Sequence, residues 1–524
     1  LLAATTAGMT FFFAWTMFDT PKKADGTPRR RDGNWGHTAI DFGGQWLMGR
    51  MLALGLGQHL YHRDYLREVV QEAYPPEDEI PPEERSEEEK QIHDAENMMA
   101  WLMGRDDSTS NPRVGGALYP PIHALFMAPL GSLRPAPAYR VQQVLGILLA
   151  LFAGGGICLL SEGRIWWPVG VLAVLLYPGF ASALNLGQNS IWMLTLLIWG
   201  WVLMAHNWPI CGGLLWGLLA FKPVWAAAFF LVPLLTRRWR VCLAMLGTGL
   251  GLAVATLPFV GWRSWLEWLQ VGHQASLLYA TNWNWVMLSR DLVNIPRRWL
   301  IDFHADDTLD HSLAATVMGW GLLLAVVAGT AALCIARKEQ SRALTGPPAA
   351  FVILGAWMSC YHFMYYDVLL TALPVALLVT EPRRYLQPVL VAVGTVPEEM
   401  RKSGLAQSYE PGLDATGPAA SALLPIGEQN LCVRNSMTLT LIALLAMSDL
   451  LLPALGIEVS ISAPALKHLP IPLPITYSTA YDGTPWPTFF VFALWLWCGW
   501  LWLTHESRIR AIQENSERGR SPYC

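Results

Sequence analysis

Two ionisable residues stand where charge is costly. Lys222 lies near the middle of an apolar run from Trp208 to Thr236, and Asp367 lies within a second run spanning 349–380. An ionisable group at membrane depth is expensive and marks a functional site by default. The first run has about 29 residues, roughly 43 Å as continuous helix. One crossing needs about 20 residues and two need about 40, so the run fits neither. Pro223 follows the lysine at once, and proline opens helices but breaks their interiors. The run therefore reads as two short helices meeting at Phe221-Lys222-Pro223. No carboxylate stands near Lys222 in the sequence, so a bound phosphate is its natural counter-ion. The second run, about 32 residues long, poses the same puzzle. Its middle reads Tyr361-His362-Phe363-Met364-Tyr365-Tyr366-Asp367, a second polar apex. Pairing of His362 with Asp367 is the simplest account of two such groups five residues apart.

Three more stretches carry chemistry-bearing side chains. Asp41 opens Asp41-Phe42-Gly43-Gly44-Gln45-Trp46, ahead of Leu47, Met51 and Leu54 at i, i+4 and i+7. That spacing predicts an amphipathic helix lying at the membrane interface. A carboxylate at its start suits the helix dipole, and it also suits a general base. Tyr119-Pro120-Pro121 fixes an extended turn before a short apolar helix, expected to run half-buried from Pro121 to Leu133. Asn185-Leu186-Gly187-Gln188-Asn189 places three amides at a tight turn, where they can cap helices or bind sugar hydroxyls. Asn282 lies with His273 and Asn284 in a Trp-rich loop at 262–312.

The elements that position these groups are membrane helices. Of the 524 residues 53% are hydrophobic and only 15% charged, and the mean hydropathy is +0.32, outside the range of soluble domains. Many of the 26 tryptophans sit at the ends of apolar runs, as an interfacial belt requires. The formal net charge of -4 gives no basic surface for nucleic acid. The eight cysteines include no Cys-x-x-Cys, so neither a disulfide framework nor a zinc site is indicated. Counting both long runs as hairpins gives an all-α polytopic protein with about 11–13 transmembrane helices. Arg237, Arg238 and Arg240 form the sharpest basic cluster and are placed in the cytoplasm. Alternation puts Arg337-Lys338, Arg383-Arg384 and the Arg508, Arg510, Arg518 tail on that side too. It sends Lys222, the second apex and the amide turn outward. Lys22-Lys23 and Arg29-Arg30-Arg31 run against this count.

The resulting plan has six parts. Residues 1–18 read as a truncated first transmembrane helix. Residues 19–140 form a large external loop with interfacial helices and an acidic insert, Glu77 to Glu96. Residues 141–380 are the membrane core and 381–435 a cytoplasmic linker. Residues 436–504 hold C-terminal transmembrane helices with an external loop, and 505–524 a cytoplasmic tail.

In order and spacing, Asp41 with its Gly-x-x-Leu-Tyr continuation, Tyr119-Pro120-Pro121, Gly187-Gln188-Asn189 and Leu218-Leu219-Ala220-Phe221-Lys222-Pro223 resemble glycosyltransferase family 87 (DUF2029), a group of GT-C membrane enzymes. The resemblance covers about residues 37–65 and 113–380; the acidic insert, the Tyr361–Asp367 apex and the region after 384 depart from it. It implies the GT-C fold and an inverting transfer of a sugar, mannose being the expected one, from a polyprenyl-phosphate donor to a lipid or glycan acceptor. The active site would face outward from the inner (plasma) membrane, among membrane lipids. Asp41 matches the catalytic base. Lys222 and His362 would bind the donor phosphate, and Tyr119, Asn185, Gln188, Asn189, Asn282 and Asp367 the sugar or acceptor. With no Asp-x-Asp motif, no cofactor and no obligatory metal are expected. The competing class is a secondary transporter or lipid flippase, which also uses broken helices; no internal repeat supports it.

Overall fold

The computed structural model describes residues 4–11, 41–74, 116–281, 283–300, 313–379, 437–446 and 485–518. The acidic insert, Asn282, the whole 381–435 linker with Arg383-Arg384, and the basic residues at 22–31 lie outside them.

The described chain is helical, and an isolated bridge between Ser289 and Met364 is its extended pairing. Its main helices are α1 (Asp41–Ala53), α2 (Arg63–Ala73), α3 (Pro121–Gly131), α4 (Pro135–Leu160), α5 (Trp167–Leu175), α6 (Ser190–Ala205), α7 (Pro209–Gly217), α8 (Pro223–Leu235), α9 (Trp239–Thr281), α10 (Leu313–Ala336), α11 (Gly346–Met358), α12 (Ala372–Val379) and α13 (Trp486–Arg518). Four are long and apolar enough to cross a bilayer: Pro135–Leu160, Trp239–Leu277, Leu313–Ala336 and Trp486–Thr504. The other apolar helices are short, and prolines at their first turns set where they begin: Pro121, Pro168, Pro209 and Pro223.

The Trp208–Thr236 run folds as the hairpin its length demanded. Helix α7 continues as a 3-10 turn, Leu218–Phe221, and stops; Lys222 is extended at φ -130°, ψ 80°; α8 then starts on Pro223. The second run breaks too. Helix α11 ends at Met358, residues 359–364 are irregular, and a 3-10 turn, Tyr365–Thr371, leads into α12. Both apices therefore expose backbone groups inside the bundle, where only protein or a lined cavity can satisfy them.

One expectation fails for a clear reason. Helix α1 is not an amphipathic interfacial helix. Nine of its thirteen residues are buried, from Phe42 to Gly49 and at Met51, and Leu54 just beyond it is exposed. Glycine is the cause: α1 and α3 cross with almost no side-chain spacer. A Cβ on Gly131 would lie 2.2 Å from the Gly49 carbonyl carbon, and one on Gly49 2.2 Å from the Met127 carbonyl oxygen. Small residues that let backbones meet are how helices pack without a hydrophobic drive. Helix α3 is likewise buried on most of its surface instead of half. The amphipathic element is α2, which buries Leu66, Val69 and Val70 and leaves Arg63, Asp64, Glu68 and Glu72 exposed.

Two cores result. The larger runs through α4 to α13; the smaller gathers Phe42, Trp46, Leu60, Leu66, Val70, Met127 and Tyr139 around α1, α2 and α3. Helix α9 leaves Leu243, Leu246, Leu250, Val254 and Leu257 exposed along one stripe, the face a lipid-exposed helix presents. At one end of the bundle Arg238 Nη2 donates to the Arg342 carbonyl at 2.6 Å, and Trp201 Nε1 donates to the Leu344 carbonyl. The basic clusters at 237–240 and 337–342 thus share an end, as the parity count requires. Gly131→Ala is expected to lower unfolding stability by about 1–3 kcal/mol through overpacking. Thermal unfolding in detergent micelles measures it, and an unchanged midpoint would refute the close crossing.

Candidate active site

The turn Gly187-Gln188-Asn189-Ser190 holds two charged groups at once. On one side Gln188 Nε2 donates to Asp41 Oδ1 at 3.1 Å. On the other, Ser190 Oγ donates to Asp367 Oδ1 at 2.5 Å. Gln188 and Ser190 are two residues apart, so their Cα atoms lie within about 7 Å. The turn can approach α1 only because residue 187 is glycine: it sits at φ 63°, and a Cβ there would meet Phe42 Cβ at 2.9 Å. Gln45 Nε2 and Gln142 Nε2 both donate to the Gly187 carbonyl, at 3.2 and 3.4 Å. Tyr139 donates from below to the Asn185 carbonyl.

Asp367 forms the centre of the second pole. Its carboxylate receives Lys222 Nζ at 3.1 Å on each oxygen. The Lys222 side chain is 12% exposed and that of Asp367 1%. Lys222 also lies over the Tyr366 ring, 5.5 Å from its centroid, and Trp357 Nε1 donates to the Asp367 carbonyl at 3.1 Å. Lys222 thus has the carboxylate partner that sequence proximity did not reveal, 145 residues away. Asp367, expected to contact sugar or acceptor, turns both carboxylate oxygens to Lys222 and one of them also to Ser190.

His362 does not pair with Asp367. Its Nδ1 lies 4.0 Å from Asp291 Oδ2 and its ring stacks on Tyr279 at 4.4 Å. Asp291 is buried and receives the Asn294 amide N–H at 2.9 Å, Asn294 Nδ2 at 2.8 Å and the Ser289 hydroxyl. The segment is pinned to the second apex by the Ser289–Met364 bridge and by Arg290 N–H to the Phe363 carbonyl at 3.0 Å.

Tyr119 joins the parts. Its hydroxyl donates to Gln188 Oε1 at 3.3 Å, and its ring stacks on His123 at 4.2 Å. Tyr61 donates to its carbonyl at 2.6 Å. Burial pushes the Tyr119 phenol far above its ordinary value, and Tyr279, Asp367 and Asp41 push it further the same way. It therefore stays a neutral donor lying within electrostatic reach of both poles. The three amides of the turn diverge. Gln188 faces Asp41, Asn189 is buried facing a recess with His123 and Gln142, and Asn185 is exposed and contributes its backbone carbonyl. Asn282 lies outside the described residues. Among the described residues no group of three His, Cys, Asp or Glu side chains is placed to hold a metal ion.

Sequence reasoning missed Ser190, Asp291, Gln45 and Gln142. Ser190 had a signal, adjacency to the amide turn. The Ser289, Asp291, Asn294 spacing is an Asx-type turn signature legible in retrospect. Gln45 and Gln142 sit within apolar helices and gave none.

Asp41 and the Lys222–Asp367 pair are thus set across one turn of an all-α polytopic membrane bundle. The sequence model of glycosyltransferase family 87 matches residues 117–360, which hold Lys222, His362's neighbour Cys360 and the whole 185–190 turn. Over that segment the chain is similar to glycosyltransferase family 87, and the match supports a membrane glycosyltransferase. Asp41 and Asp367 lie outside the matched segment. No curated protein matches the chain, and no solved structure does. The match supports the transferase over the transporter.

Removing one partner of a buried ion pair strands the other charge at about 3–5 kcal/mol. Asp367→Leu is therefore expected to destabilise strongly, and the double variant Lys222→Met/Asp367→Leu to recover most of the loss. Denaturation midpoints of the wild type, Lys222→Met, Asp367→Leu and the double variant measure the coupling; additive effects would mean the pair is not formed.

Proposed function

We propose that the protein moves a hexose, mannose first among candidates, from a polyprenyl-phosphate donor to a hydroxyl of a lipid or glycan acceptor. The acceptor oxygen attacks the anomeric carbon while Asp41 takes its proton. The bond from that carbon to the phosphate oxygen breaks with inversion, and the polyprenyl phosphate leaves with the electron pair. The observation that carries this reading is the 188–190 turn, which holds Asp41 at one end and the Lys222–Asp367 pair at the other. A displacement needs its base and its leaving-group cation on opposite sides of one small ring.

Lys222 is the more exposed member of its pair, so Asp367 anchors it from the buried side and leaves ammonium hydrogen-bonding capacity for a phosphate. A fixed cation aimed at developing charge costs no reorganisation at the moment of reaction. His362, held between Asp291 and Tyr279, adds a donor to the same leaving group. Gln188 orients Asp41, and Tyr119 orients Gln188. No obligatory metal is invoked, because the leaving group is a monophosphate with a cation already built beside it. By the basic-end rule the site faces outward from the inner membrane, opposite Arg238 and Arg342.

Membranes carrying the protein are expected to transfer labelled sugar from polyprenyl-phosphate mannose, and Asp41→Asn to lose about 10²–10⁴ of that rate. Lys222→Ala should raise the donor KM. Equal transfer by Asp41→Asn, or none by the wild type from any polyprenyl-phosphate donor, would overturn the mechanism.

A further inference from the structure

Helix α9 has 43 residues, about 65 Å of helix and roughly twice what one crossing uses. Its first part, residues 239–260, spans roughly 33 Å and completes a crossing alone. The helix bends at the next residue. Gly261 sits at φ 70°, ψ 168°, a conformation open to glycine and strained for other residues. A Cβ there would meet nothing within 4 Å, so backbone geometry and not close packing calls for glycine. The bend is built in at the point where one bilayer crossing is complete.

The arm beyond the bend, residues 262–281, has three faces. One packs on the smaller core: Trp265, Trp268 and Val271 lie against it, and Ser264 and Ala275 are buried. At the edge of this face Glu267 pairs with His62 at 3.3 Å. The second face is polar and exposed, with Arg263, Gln270 and Gln274 at i, i+7 and i+11. The third is apolar. Trp262, Leu266, Leu269 and Leu277 recur at i, i+4, i+7 and i+15, each between 49% and 63% exposed, and His273 falls among them. Both outward stripes follow the helical period, so each runs the length of the arm. Through exposed Phe259 the apolar one continues the lipid-facing stripe of Leu250, Val254 and Leu257 across the bend. A contiguous apolar surface rimmed by polar residues marks an interaction site. Its continuity with a lipid-facing helix, and its place at the end of a crossing, identify the partner as lipid.

We propose that this arm lies along the membrane surface on the side of the site. Trp262, Leu266, Leu269 and Leu277 sit among the acyl chains, and Arg263, Gln270 and Gln274 meet the headgroups. The seat bears on the site whatever donor it takes. Trp268 Nε1 donates to the Leu118 carbonyl at 3.2 Å, just before Tyr119, and the Tyr279 ring stacks on His362. A nitroxide-bearing noncanonical residue, placed singly at each of these outward positions, leaves the eight native cysteines untouched. In phospholipid nanodiscs the full chain is then exposed to oxygen, which partitions into lipid, and to a water-soluble nickel chelate. Oxygen contact is expected to exceed nickel contact several-fold at Trp262, Leu266, Leu269 and Leu277, and the reverse at Arg263, Gln270 and Gln274. The substituted side chains are exposed, thermal unfolding checks each variant, and the pattern survives the loss of any one. Nickel contact at every position would put the arm in water and overturn the inference. Protection of the apolar stripe from both reagents would overturn it too, since a second copy or another protein segment would then cover it. Sugar transfer is not the readout, so failure here leaves the transferase reading standing.

Discussion

The buried pairing of Lys222 with Asp367 is the constraint the rest of the structure answers to. Two charges taken out of water cost several kcal/mol each unless geometry and further hydrogen bonds repay them. Here the carboxylate receives Lys222 on both oxygens and Ser190 on one, and the lysine also faces the Tyr366 ring. Those contacts come from three separate stretches of chain, so the pair fixes the two apices and the amide turn relative to one another. Once Ser190 is held, Gln188 two residues earlier can reach Asp41. The position of Asp41 is thus inherited from the position of the ion pair.

Proline and glycine divide the labour of building this arrangement. Proline sets where helices stop short: α8 begins on Pro223 immediately after Lys222, and α3 on Pro121 shortly after Tyr119. Glycine sets how closely the pieces approach. Gly49 and Gly131 bring α1 against α3, and Gly187 lets the turn press on Phe42. A first helix pushed out by a single methyl group on either glycine would carry Asp41 away from Gln188. Fold and site are linked through backbone contact, with few adjustable side chains in between.

What was legible in the sequence was what has a one-dimensional signature. Run length and Pro223 revealed the Lys222 hairpin, and a polar centre in 349–380 revealed the second break. Asp41, Tyr119 and Gln188 were flagged, and the structure brings those three into one hydrogen-bonded chain. Asp367 was flagged with the wrong partner, because pairing over 145 residues leaves no local trace. Helix α1 departs from its expected interfacial place because its apolar spacing reads as amphipathic, while its three glycines, which decide how deep a helix can sink among others, carry no periodic signal. Gln45 and Gln142 were invisible for a related reason: a polar residue in an apolar helix looks like noise until its neighbours in space are known.

The depth of the site bears on which donor it suits. The arm from Pro223 to Leu235 has 13 residues and ends beside the basic cluster at 237–240. Thirteen residues rise about 20 Å, and less along the membrane normal if the helix tilts. The hydrocarbon layer is about 30 Å thick. Lys222 therefore lies some 10 Å inside the far boundary instead of at it, if the basic end marks the near one. A water-soluble nucleotide sugar would have to bring a diphosphate down into that layer. A polyprenyl phosphate already has its phosphate at the boundary, tethered to a chain that belongs in hydrocarbon, and needs only to slide inward to a cation whose desolvation Asp367 has already offset. On the proposed reading with a polyprenyl-phosphate donor, the short arms of the two broken helices place that cation within reach of a lipid.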